Sequence, residues 1–256
     1  MLSFEMTGGL DQTNLILAFI LVLILMVVSR VRHILNETGT WAAAALGLGV
    51  AIAGHWTWLL ILLSFLTSGF AVTRWRIDDK RAKGLHEGQD GERGWTNVAS
   101  NGGVPLAIAL YAGWSGEWQT TMPIFAAAVA VASADTFASE IGSLDERVRM
   151  ITTFKPCEPG INGGFSPNGQ MAALAGAALI GVIGAGLGLL VDAEAVVHPL
   201  RFILSMTAIG FIGCQIDSLL GAWFENRGLI GKGTVNALAI TCGALLAAFA
   251  LPALPF

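Results

Sequence analysis

Charged residues are scarce in this sequence. Of its 256 residues 12% are charged and 54% are hydrophobic, and the mean hydropathy is +0.68, whereas a soluble domain usually carries about 25% charged residues. The one long polar stretch, about residues 73–96, is too short for a soluble domain of ordinary size. The composition therefore excludes a soluble enzyme, gives no sign of a nucleic-acid surface, and indicates a single transmembrane domain over residues 1–256.

Cysteine and histidine are also few. The three cysteines are scattered, so they form neither a disulfide framework nor a metal-binding C-x-x-C motif, and the four histidines add no metal-ligand cluster. The first residues contain Glu5 and Asp11 but no basic leader and no small-residue cleavage site. We therefore expect the first apolar stretch to be retained as a membrane span.

Eight apolar stretches are long enough to be membrane-spanning helices, which need about 20 residues. They lie at residues 14–31, 39–54, 56–72, 97–114, 121–142, 170–191, 199–224 and 234–252. The division between the second and third is the weakest, because only Gly54 and His55 separate them. Glycines in the sixth stretch, such as Gly176 and Gly181, favour close helix packing over ligand binding. The predicted fold is an all-α polytopic membrane protein of about eight transmembrane helices.

The basic residues predict the orientation. If the N-terminus is outside, every one of the 14 Lys and Arg residues except Arg201 lies on the cytoplasmic side, at residues 30–32 or in loops at about 73–96, 143–169 and 225–233. Such a bias predicts that both termini are outside. We expect a protein of a bacterial plasma membrane whose polar sites face the cytoplasm.

The most costly polar cluster is Ala132–Gly142, A-S-A-D-T-F-A-S-E-I-G, at the end of the fifth span. A carboxylate at membrane depth costs about 2.5–3.5 kcal/mol, so Asp135 and Glu140 are functional candidates by default. In a helix, Glu140 shares a stripe with Ser133 and Thr136, and Asp135 lies on the next stripe. The alternative, a polar packing seam between helices, suits the serine and threonine but explains two carboxylates poorly.

A second cluster opens the fourth span with G-W-T-N-V-A-S-N-G-G-V-P. Asn97 and Asn101 are one helical turn apart and share a face. Gly102, Gly103 and Pro105 indicate a broken or late-starting helix, whose free N–H groups favour an anion such as phosphate. The alternative is an ordinary capped helix start.

The third cluster is the loop 151–170, I-T-T-F-K-P-C-E-P-G-I-N-G-G-F-S-P-N-G-Q. Its glycines, with Lys155, Asn162 and Ser166, could surround a polyphosphate, because glycine permits backbone conformations that direct successive N–H groups inward. The alternative is a plain connection. Its length and apolar residues favour a packed re-entrant or lid loop.

The fourth cluster, residues 215–234, contains Asp217 and Lys232. Asp217 precedes Phe224 by seven residues, as Asp135 precedes Gly142, so both aspartates should lie about 10 Å from the ends of their helices. The alternative for Asp217 is a single polar packing contact. The stretch 228–234 lacks the full Walker spacing, but Lys232 could still contact phosphate.

The order of these clusters suggests an internal repeat. Asn101-Gly-Gly precedes Asp135-Thr, and Asn162-Gly-Gly precedes Asp217-Ser. Spans four and five would then correspond to spans six and seven in a parallel repeat, placing two Asp-Thr/Ser pairs around one site.

Carboxylates, asparagines, a glycine-rich loop and basic residues on one membrane face are typical of a Mg²⁺ site that carries phosphates. Phosphoryl transfer needs chiefly positioning and charge neutralisation. The site would face cytoplasmic nucleotides, and the grooves between helices could hold a lipid tail. These features indicate a kinase or a nucleotidyl transferase that acts on a membrane lipid.

At these motifs the sequence resembles the transmembrane protein 19 family, which includes the plant phytyl-phosphate kinase of tocopherol synthesis. The matching stretches are G-W-T-N-V-A-S-N-G-G-V-P, A-S-A-D-T-F-A-S-E-I-G, I-T-T-F-K-P-C-E-P-G-I-N-G-G-F-S and D-S-L-L-G-A, and the likeness covers most of the chain from the second span onward. Phytol and dolichol kinases are similar more distantly. The resemblance implies phosphoryl transfer from a nucleoside triphosphate, CTP in the plant enzyme, to an isoprenyl monophosphate. Ile161 departs from the polar residue expected before Asn-Gly-Gly.

We assign two groups of residue roles, and the expected partners, as hypotheses. The candidate Mg²⁺ ligands and catalytic residues are Asp135, Glu140 and Asp217. The candidate phosphate and nucleotide contacts are Asn97, Asn101, Gly102, Gly103, Arg149, Lys155, Asn162, Gly163, Gly164, Ser166, Ser218 and Lys232. The expected partners are an isoprenyl phosphate in the membrane and a nucleotide, and a homo-oligomer is compatible with the sequence.

Three alternatives stay open. A CDP-lipid cytidylyltransferase would use the same type of site and release pyrophosphate. An isoprenol kinase would need a general base, for which Asp135 and Glu140 are candidates, whereas a monophosphate acceptor is already ionised. A secondary transporter would place its polar residues near the midplane, and the one-sided clustering here argues against it.

Overall fold

Long helices make up most of the protein. The computed structural model describes residues 9–85, 92–191 and 196–251. Within them the helices are α1 Gln12–Arg32, α2 Glu37–Ala53, α3 Trp56–Arg74, α4 Ile77–Ala82, α5 Trp95–Ser115, α6 Trp118–Gly142, α7 Pro167–Val191, α8 Pro199–Leu220 and α9 Lys232–Ala250. The all-α prediction is confirmed. Residues 86–91 of the predicted loop 73–96 and the predicted end of the last span at residue 252 lie outside the described residues.

Eight of these helices follow the eight predicted spans in order, and α4 is the short addition. Six of them, α1, α3, α6, α7, α8 and α9, are long and apolar enough to cross a membrane. The other two are α2, which has 17 residues, and α5, which begins with the polar stretch Trp95–Asn101. Whether these two helices cross the membrane stays a prediction.

Local side chains define where several helices begin. The carboxylate of Asp11 accepts hydrogen bonds from the backbone N–H groups of Thr13 and Asn14, and the side chain of Asn36 accepts one from Gly39. Such N-caps satisfy donors that have no partner inside the helix. The cap at Asn36 marks the boundary between α1 and α2.

Helix α6 lies at the centre of the bundle. It packs against α3, α5, α7, α8 and α9, and its residues 126–132 are all buried. Small residues allow this packing: a Cβ atom added to Gly176 would lie 2.7 Å from the carbonyl oxygen of Ser133, and one added to Gly181 would lie 3.1 Å from the Cα atom of Ile203. The predicted packing role of these two glycines is confirmed.

One end of the bundle carries the long connections. Between α6 and α7 the chain forms a two-stranded antiparallel ladder, with β1 Arg149–Met150 paired to β2 Gly164–Phe165. After α8 the helix continues as a π-helical segment, Gly221–Glu225. The carboxyl ends of α6 and α8 therefore meet the amino ends of α7 and α9, so their polar residues share one place.

Candidate active site

A cavity of about 410 Å³ lies at this end of the bundle. Helices α6, α7, α8 and α9, the π-helical segment, the α6–α7 loop and the residues after α4 all contribute to its wall. The polar side chains in the wall belong to Asp135, Ser139, Ser143, Asn162, Ser166, Gln170, Cys214, Asp217, Ser218, Glu225 and Lys232, and four glycines of the loop and α7 contribute backbone. Eight of the predicted site residues line the cavity: Asp135, Asn162, Gly163, Gly164, Ser166, Asp217, Ser218 and Lys232.

Asp135 and Asp217 lie next to each other in the wall of the cavity. Their carboxyl groups are within hydrogen-bond reach of each other. The Oδ2 atom of Asp217 is buried and has no hydrogen-bond partner among the described residues. Two carboxylates this close repel each other when both are ionised, and a shared proton or a bound cation would relieve that repulsion. The sequence predicts that these two aspartates lie at similar depth, and in the structure they lie next to each other.

Glu140 lies on the other side of α6. Its Oε2 atom accepts a hydrogen bond of 2.6 Å from the Nζ atom of Lys80, and its Oε1 atom accepts one of 2.8 Å from the hydroxyl of Thr73. Lys80 is fully buried and also donates to the carbonyl oxygen of Val72. The structure thus places Glu140 in an ion pair between α3, α4 and α6, and its proposed role as a metal ligand has no support from this geometry.

Arg93 lies between this ion pair and the aspartates, and the sequence analysis gave it no role. Its guanidinium donates a 3.4 Å hydrogen bond to the hydroxyl of Thr73 and lies 5.9 Å from the centre of the Phe65 ring. Burial lowers the pKa of Arg93, while Glu140 and then Asp135 oppose this effect. A guanidinium stays charged under such conditions. Arg93 is therefore a positive group within electrostatic reach of Asp135.

The Asn162-Gly-Gly stretch forms the loop side of the cavity. Gly163 has φ +81°, and a Cβ atom there would lie 2.5 Å from the Cβ atom of Ala222. Glycine is thus required both by the left-handed backbone and by the close approach to the π-helical segment. The N–H group of Gly164 donates to the carbonyl oxygen of Ile161. The proposed ring of inward N–H groups is therefore incomplete, because Gly164 is already bonded within the loop.

The predicted phosphate contacts Arg149 and Lys155 lie outside the cavity wall. Both are exposed, and the Nη1 atom of Arg149 donates a 2.9 Å hydrogen bond to the carbonyl oxygen of Phe154. They stabilise the outer part of the loop in this structure. Lys232, at the first position of α9, is the predicted basic residue that the structure does bring to the cavity.

Asn97, Asn101 and Gly102 line a different cleft, between α1, α2, α3 and α5. The side-chain amide of Asn101 donates a 2.9 Å hydrogen bond to the carbonyl oxygen of Asn97 within the helix. A Cβ atom on Gly102 would clash with Leu46 of α2, whereas one on Gly103 would meet no atom within 4 Å. This Asn-Gly-Gly stretch lies inside the continuous helix α5, so the predicted broken or late helix start is wrong. The stretch at Asn162 is a loop, so the two halves of the proposed repeat differ in conformation.

Glu225 is a cavity residue that sequence reasoning missed. It ends the π-helical segment, lines the cavity, and interacts electrostatically with both Asp135 and Asp217. Its side chain hydrogen-bonds to Asn162. Asp217, Gly221 and Glu225 follow one another at intervals of four residues, which is the spacing of one helical face, and that signal could have found it. Segments of π-helix are frequent at functional sites.

Asp145 fixes the loop to the start of α7. Its carboxylate accepts hydrogen bonds from the Nε, Nη2 and backbone N atoms of Arg147 and from the backbone N–H of Asn168. The side-chain hydrogen bonds to Arg147 are the largest cause that lowers the pKa of Asp145 to about 2. The hydroxyl of Ser166 caps α7 by accepting from Gly169. The N–H groups at the start of α7 therefore already have partners.

The oxygen donors of the cavity fit a small hard cation whose remaining coordination positions are filled by substrate oxygens. Among residues 9–85, 92–191 and 196–251, no three His, Cys, Asp or Glu side chains lie close enough together to hold a metal ion. Mg²⁺ is usually bound by one or two carboxylates, with waters and phosphate oxygens as its other ligands. The adjacent carboxyl groups of Asp135 and Asp217, with the unpartnered Oδ2 atom, are the residues that could hold such an ion.

Comparison with known proteins finds relatives in archaea and plants. The profile described as integral membrane protein DUF92 matches residues 20–244. The uncharacterized membrane protein MJ0933 of Methanocaldococcus jannaschii is 30% identical over 234 residues, which are 91% of this chain and 92% of that protein. In Arabidopsis thaliana, protein PGR is 32% identical over 186 residues, covering 66% of this chain and 64% of PGR. The chloroplastic protein VTE6 of the same plant is 27% identical over 221 residues, covering 83% of this chain and 64% of VTE6. No solved structure matches the chain.

Proposed function

This chain belongs to the DUF92 family of integral membrane proteins, and from that membership we propose that it is a membrane-embedded phosphotransferase. The proposed reaction transfers the terminal phosphoryl group of a nucleoside triphosphate, CTP by expectation, to an isoprenyl monophosphate. The motif resemblance to the transmembrane protein 19 family, which includes the plant phytyl-phosphate kinase, is the source of this assignment, and the 27% identity to VTE6 supports it. The paired carboxyl groups of Asp135 and Asp217 are the observation that carries it.

The roles of the cavity residues follow from their positions. Asp135 and Asp217 would hold Mg²⁺, and the bound ion would supply charge neutralisation to the phosphate oxygens. Lys232 begins α9 at the cavity, and the helix start has no side-chain cap. A helix N-terminus with a lysine attracts phosphate, so this corner would receive the nucleotide phosphates.

The chemical step needs no general base. An oxygen of the acceptor monophosphate is already ionised and would attack the γ-phosphorus of the nucleotide. The bond between that phosphorus and the oxygen bridging to the β-phosphate breaks, giving an isoprenyl diphosphate and a nucleoside diphosphate. Asn162, held by Glu225 and Asn226, would then contribute to orienting the nucleotide rather than to proton transfer.

The membrane setting matches the substrate. Helices α6 and α8 carry Asp135 and Asp217 inside the bundle, and both helices are apolar enough to cross a membrane. A lipid headgroup can reach a carboxylate pair at that depth without leaving the bilayer. By the distribution of Lys and Arg the cavity would open toward the cytoplasm, where nucleoside triphosphates are available.

The test is a transfer assay on purified protein in nanodiscs, with Mg²⁺, each nucleoside triphosphate, and phytol and phytyl phosphate as acceptors. We expect the diphosphate from phytyl phosphate, and a loss of at least about 100-fold in rate for Asp135→Asn and for Asp217→Asn. Asp78→Asn, an exposed carboxylate of α4, is the matched control and should keep full activity. Release of pyrophosphate would identify a cytidylyltransferase, and full activity of Asp135→Asn would contradict the assignment.

A further inference from the structure

Arg93 lies where an apolar cleft approaches the aspartate cavity. The cleft is a narrow space of about 60 Å³ among leucines of α1, α2 and α3, including Leu25, Leu46, Leu62 and Leu63, with Arg93 and Asn97 in its polar part. The same guanidinium interacts electrostatically with Asp135 of the cavity. Arg93 thus lines the cleft and lies within electrostatic reach of the cavity.

The depth of the guanidinium makes its charge unusual. It lies beside the ring of Phe65, which precedes the end of α3 at Arg74 by nine residues, or about 13 Å of helix rise. A charged side chain at such depth is a functional candidate by default. A structural counterion would usually be bound by several short hydrogen bonds. The guanidinium of Arg93 instead makes one hydrogen bond, of 3.4 Å to Thr73, in the part of the chain that the structure describes.

The helix packing leaves room at this position. A Cβ atom on Gly69 of α3 would lie 3.2 Å from the Nη1 atom and 3.3 Å from the Nη2 atom of Arg93. The backbone of Arg93 is fixed separately, because its N–H donates to the carbonyl oxygen of Ile34 and its carbonyl oxygen accepts from the N–H of Asn36. The side chain is therefore directed inward by an anchored backbone, with Gly69 making space for it.

We propose that this cleft binds the acceptor lipid, with its hydrocarbon chain against the leucines of α1, α2 and α3 and its phosphate on the guanidinium of Arg93. The proposal rests on the proposed function for the identity of the lipid as an isoprenyl monophosphate. An apolar wall with one buried cation is complementary to an amphiphilic anion, and Arg binds phosphate through two parallel N–H donors. The phosphate would then lie next to Asp135, where the nucleotide is expected.

Measuring the equilibrium binding of lipid analogues tests this proposal independently of phosphoryl transfer. The probes are phytyl phosphonate, short-chain isopentenyl phosphonate and phytol. The phosphonates keep the ionised oxygens of the phosphate, and no nucleotide is present, so no phosphoryl transfer can occur. Binding to the full-length protein in nanodiscs is measured for the wild type and for Arg93→Gln, Arg93→Lys and Leu62→Trp. Arg74→Gln, an exposed basic residue at the end of α3, and Leu204→Trp, an exposed residue of α8, are the matched controls.

We expect Arg93→Gln to weaken binding of phytyl phosphonate about tenfold or more while binding of phytol is unchanged, and Arg93→Lys to be intermediate. Leu62→Trp should weaken phytyl phosphonate about tenfold and leave isopentenyl phosphonate close to wild type, because it fills the cleft and leaves Arg93 intact. The melting temperature of each variant shows whether it is folded.

The outcomes distinguish the two proposals. If the wild type transfers phosphoryl groups but Arg93→Gln and Leu62→Trp both bind phytyl phosphonate as the wild type does, the cleft assignment is wrong and the proposed function stands. If binding depends on Arg93 and chain length but no transfer occurs with any nucleotide, the cleft is supported and the kinase assignment is wrong. Absence of binding to the wild type overturns the cleft directly, and the transfer assay then decides the function alone.

Discussion

Lys80 and Glu140 form the most deeply buried ion pair of the described residues. The side chain of Lys80 is 1% exposed and that of Glu140 is 12% exposed, and their N–O distance is 2.6 Å. Thr73 contributes a further hydrogen bond to Glu140 and a carbonyl oxygen to Lys80. Removing one partner of such a pair leaves an uncompensated charge where water cannot reach it. The pair therefore fixes α4 against α3 and α6.

For this ion pair we expect Lys80→Met to lower the free energy of unfolding by about 3–5 kcal/mol. The double variant Lys80→Met, Glu140→Gln should recover more than half of that loss, because it leaves no unpaired charge. Unfolding by sodium dodecyl sulfate in mixed micelles measures the free energy of unfolding of the single and the double variant. Lys83→Met is the control, because Lys83 lies 3.8 Å from the exposed Glu146 and a surface pair contributes about 0–1 kcal/mol. Equal losses for Lys80→Met and Lys83→Met would contradict a structural role.

Helix α6 shows why the sequence could not assign a role to each of its carboxylates. The polar side chains of α6 have different surroundings: Asp135 lines the cavity, whereas Ser133 donates to the carbonyl oxygen of Gly176 and Glu140 binds Lys80. Helical spacing separates the two stripes correctly. It does not show which stripe meets a basic residue 60 positions away, because that pairing depends on the packing of α3 and α4 against α6.

The two Asn-Gly-Gly stretches have different requirements for glycine. Alanine at 163 would meet both a left-handed backbone and the Ala222 side chain, and we expect Gly163→Ala to destabilise the protein by about 1–3 kcal/mol and to reduce transfer activity. Gly103→Ala lies inside α5 with no atom within 4 Å of the added Cβ, so it should stabilise by about 0.5–1 kcal/mol. Thermal unfolding of the two variants measures whether the two glycines differ in this way. Similar effects at both positions would support equivalent repeats.

His55 caps helix α3 at the opposite end of the bundle. Its Nδ1 atom accepts a hydrogen bond from the N–H of Thr57, and the residue is buried. Burial lowers the pKa of His55 from 6.5 to about 4, against a smaller opposing effect of Asp11. Because the unfolded chain takes up the proton first, this contribution to stability is complete above pH 6.5 and is lost as the pH falls from 6.5 toward 4.

Acid sensitivity should therefore depend on this cap. Wild-type protein should lose about 1–2 kcal/mol from this residue between about pH 7 and pH 5. His55→Asn keeps a capping acceptor that does not titrate, so its melting temperature should fall less over the same range. Tryptophan fluorescence can follow the unfolding. His198→Asn is the control, because His198 precedes α8 and makes no side-chain cap bond; an unchanged pH dependence of His55→Asn would refute the assignment.

At the scale of elements, the helices were predictable and their irregular parts were not. Apolar length is a local signal, and it reproduces the order of the eight long helices. The π-helical segment carries Glu225 into the cavity, but it depends on how Gly221 packs against Asn162 and Gly163. A contact between distant segments leaves no pattern within one helix, which is why Glu225 was missed.

For the whole molecule, the arrangement of helices explains why one site can be built from dispersed residues. Asp135 and Asp217 are far apart in sequence, but α6 and α8 run in the same direction and end at the same face of the bundle. The sequence predicts this meeting from helix direction and depth. It could not predict that Asn97 and Asn101 line a separate cleft, because the lateral positions of α5 and α6 are set by packing.

The distribution of Lys and Arg predicts how the whole molecule is oriented in the membrane. Single cysteines can test it in a variant whose three native cysteines are replaced by alanine. Leu229, in the connection after α8, is 64% exposed at the cavity end, and Val197, before α8, is 59% exposed at the other end. If basic residues face the cytoplasm, a membrane-impermeant maleimide should label Val197→Cys in intact cells and Leu229→Cys only after permeabilisation. Labelling of Leu229→Cys in intact cells would put the aspartate cavity outside, away from nucleoside triphosphates, and would contradict both the predicted topology and a kinase that uses them.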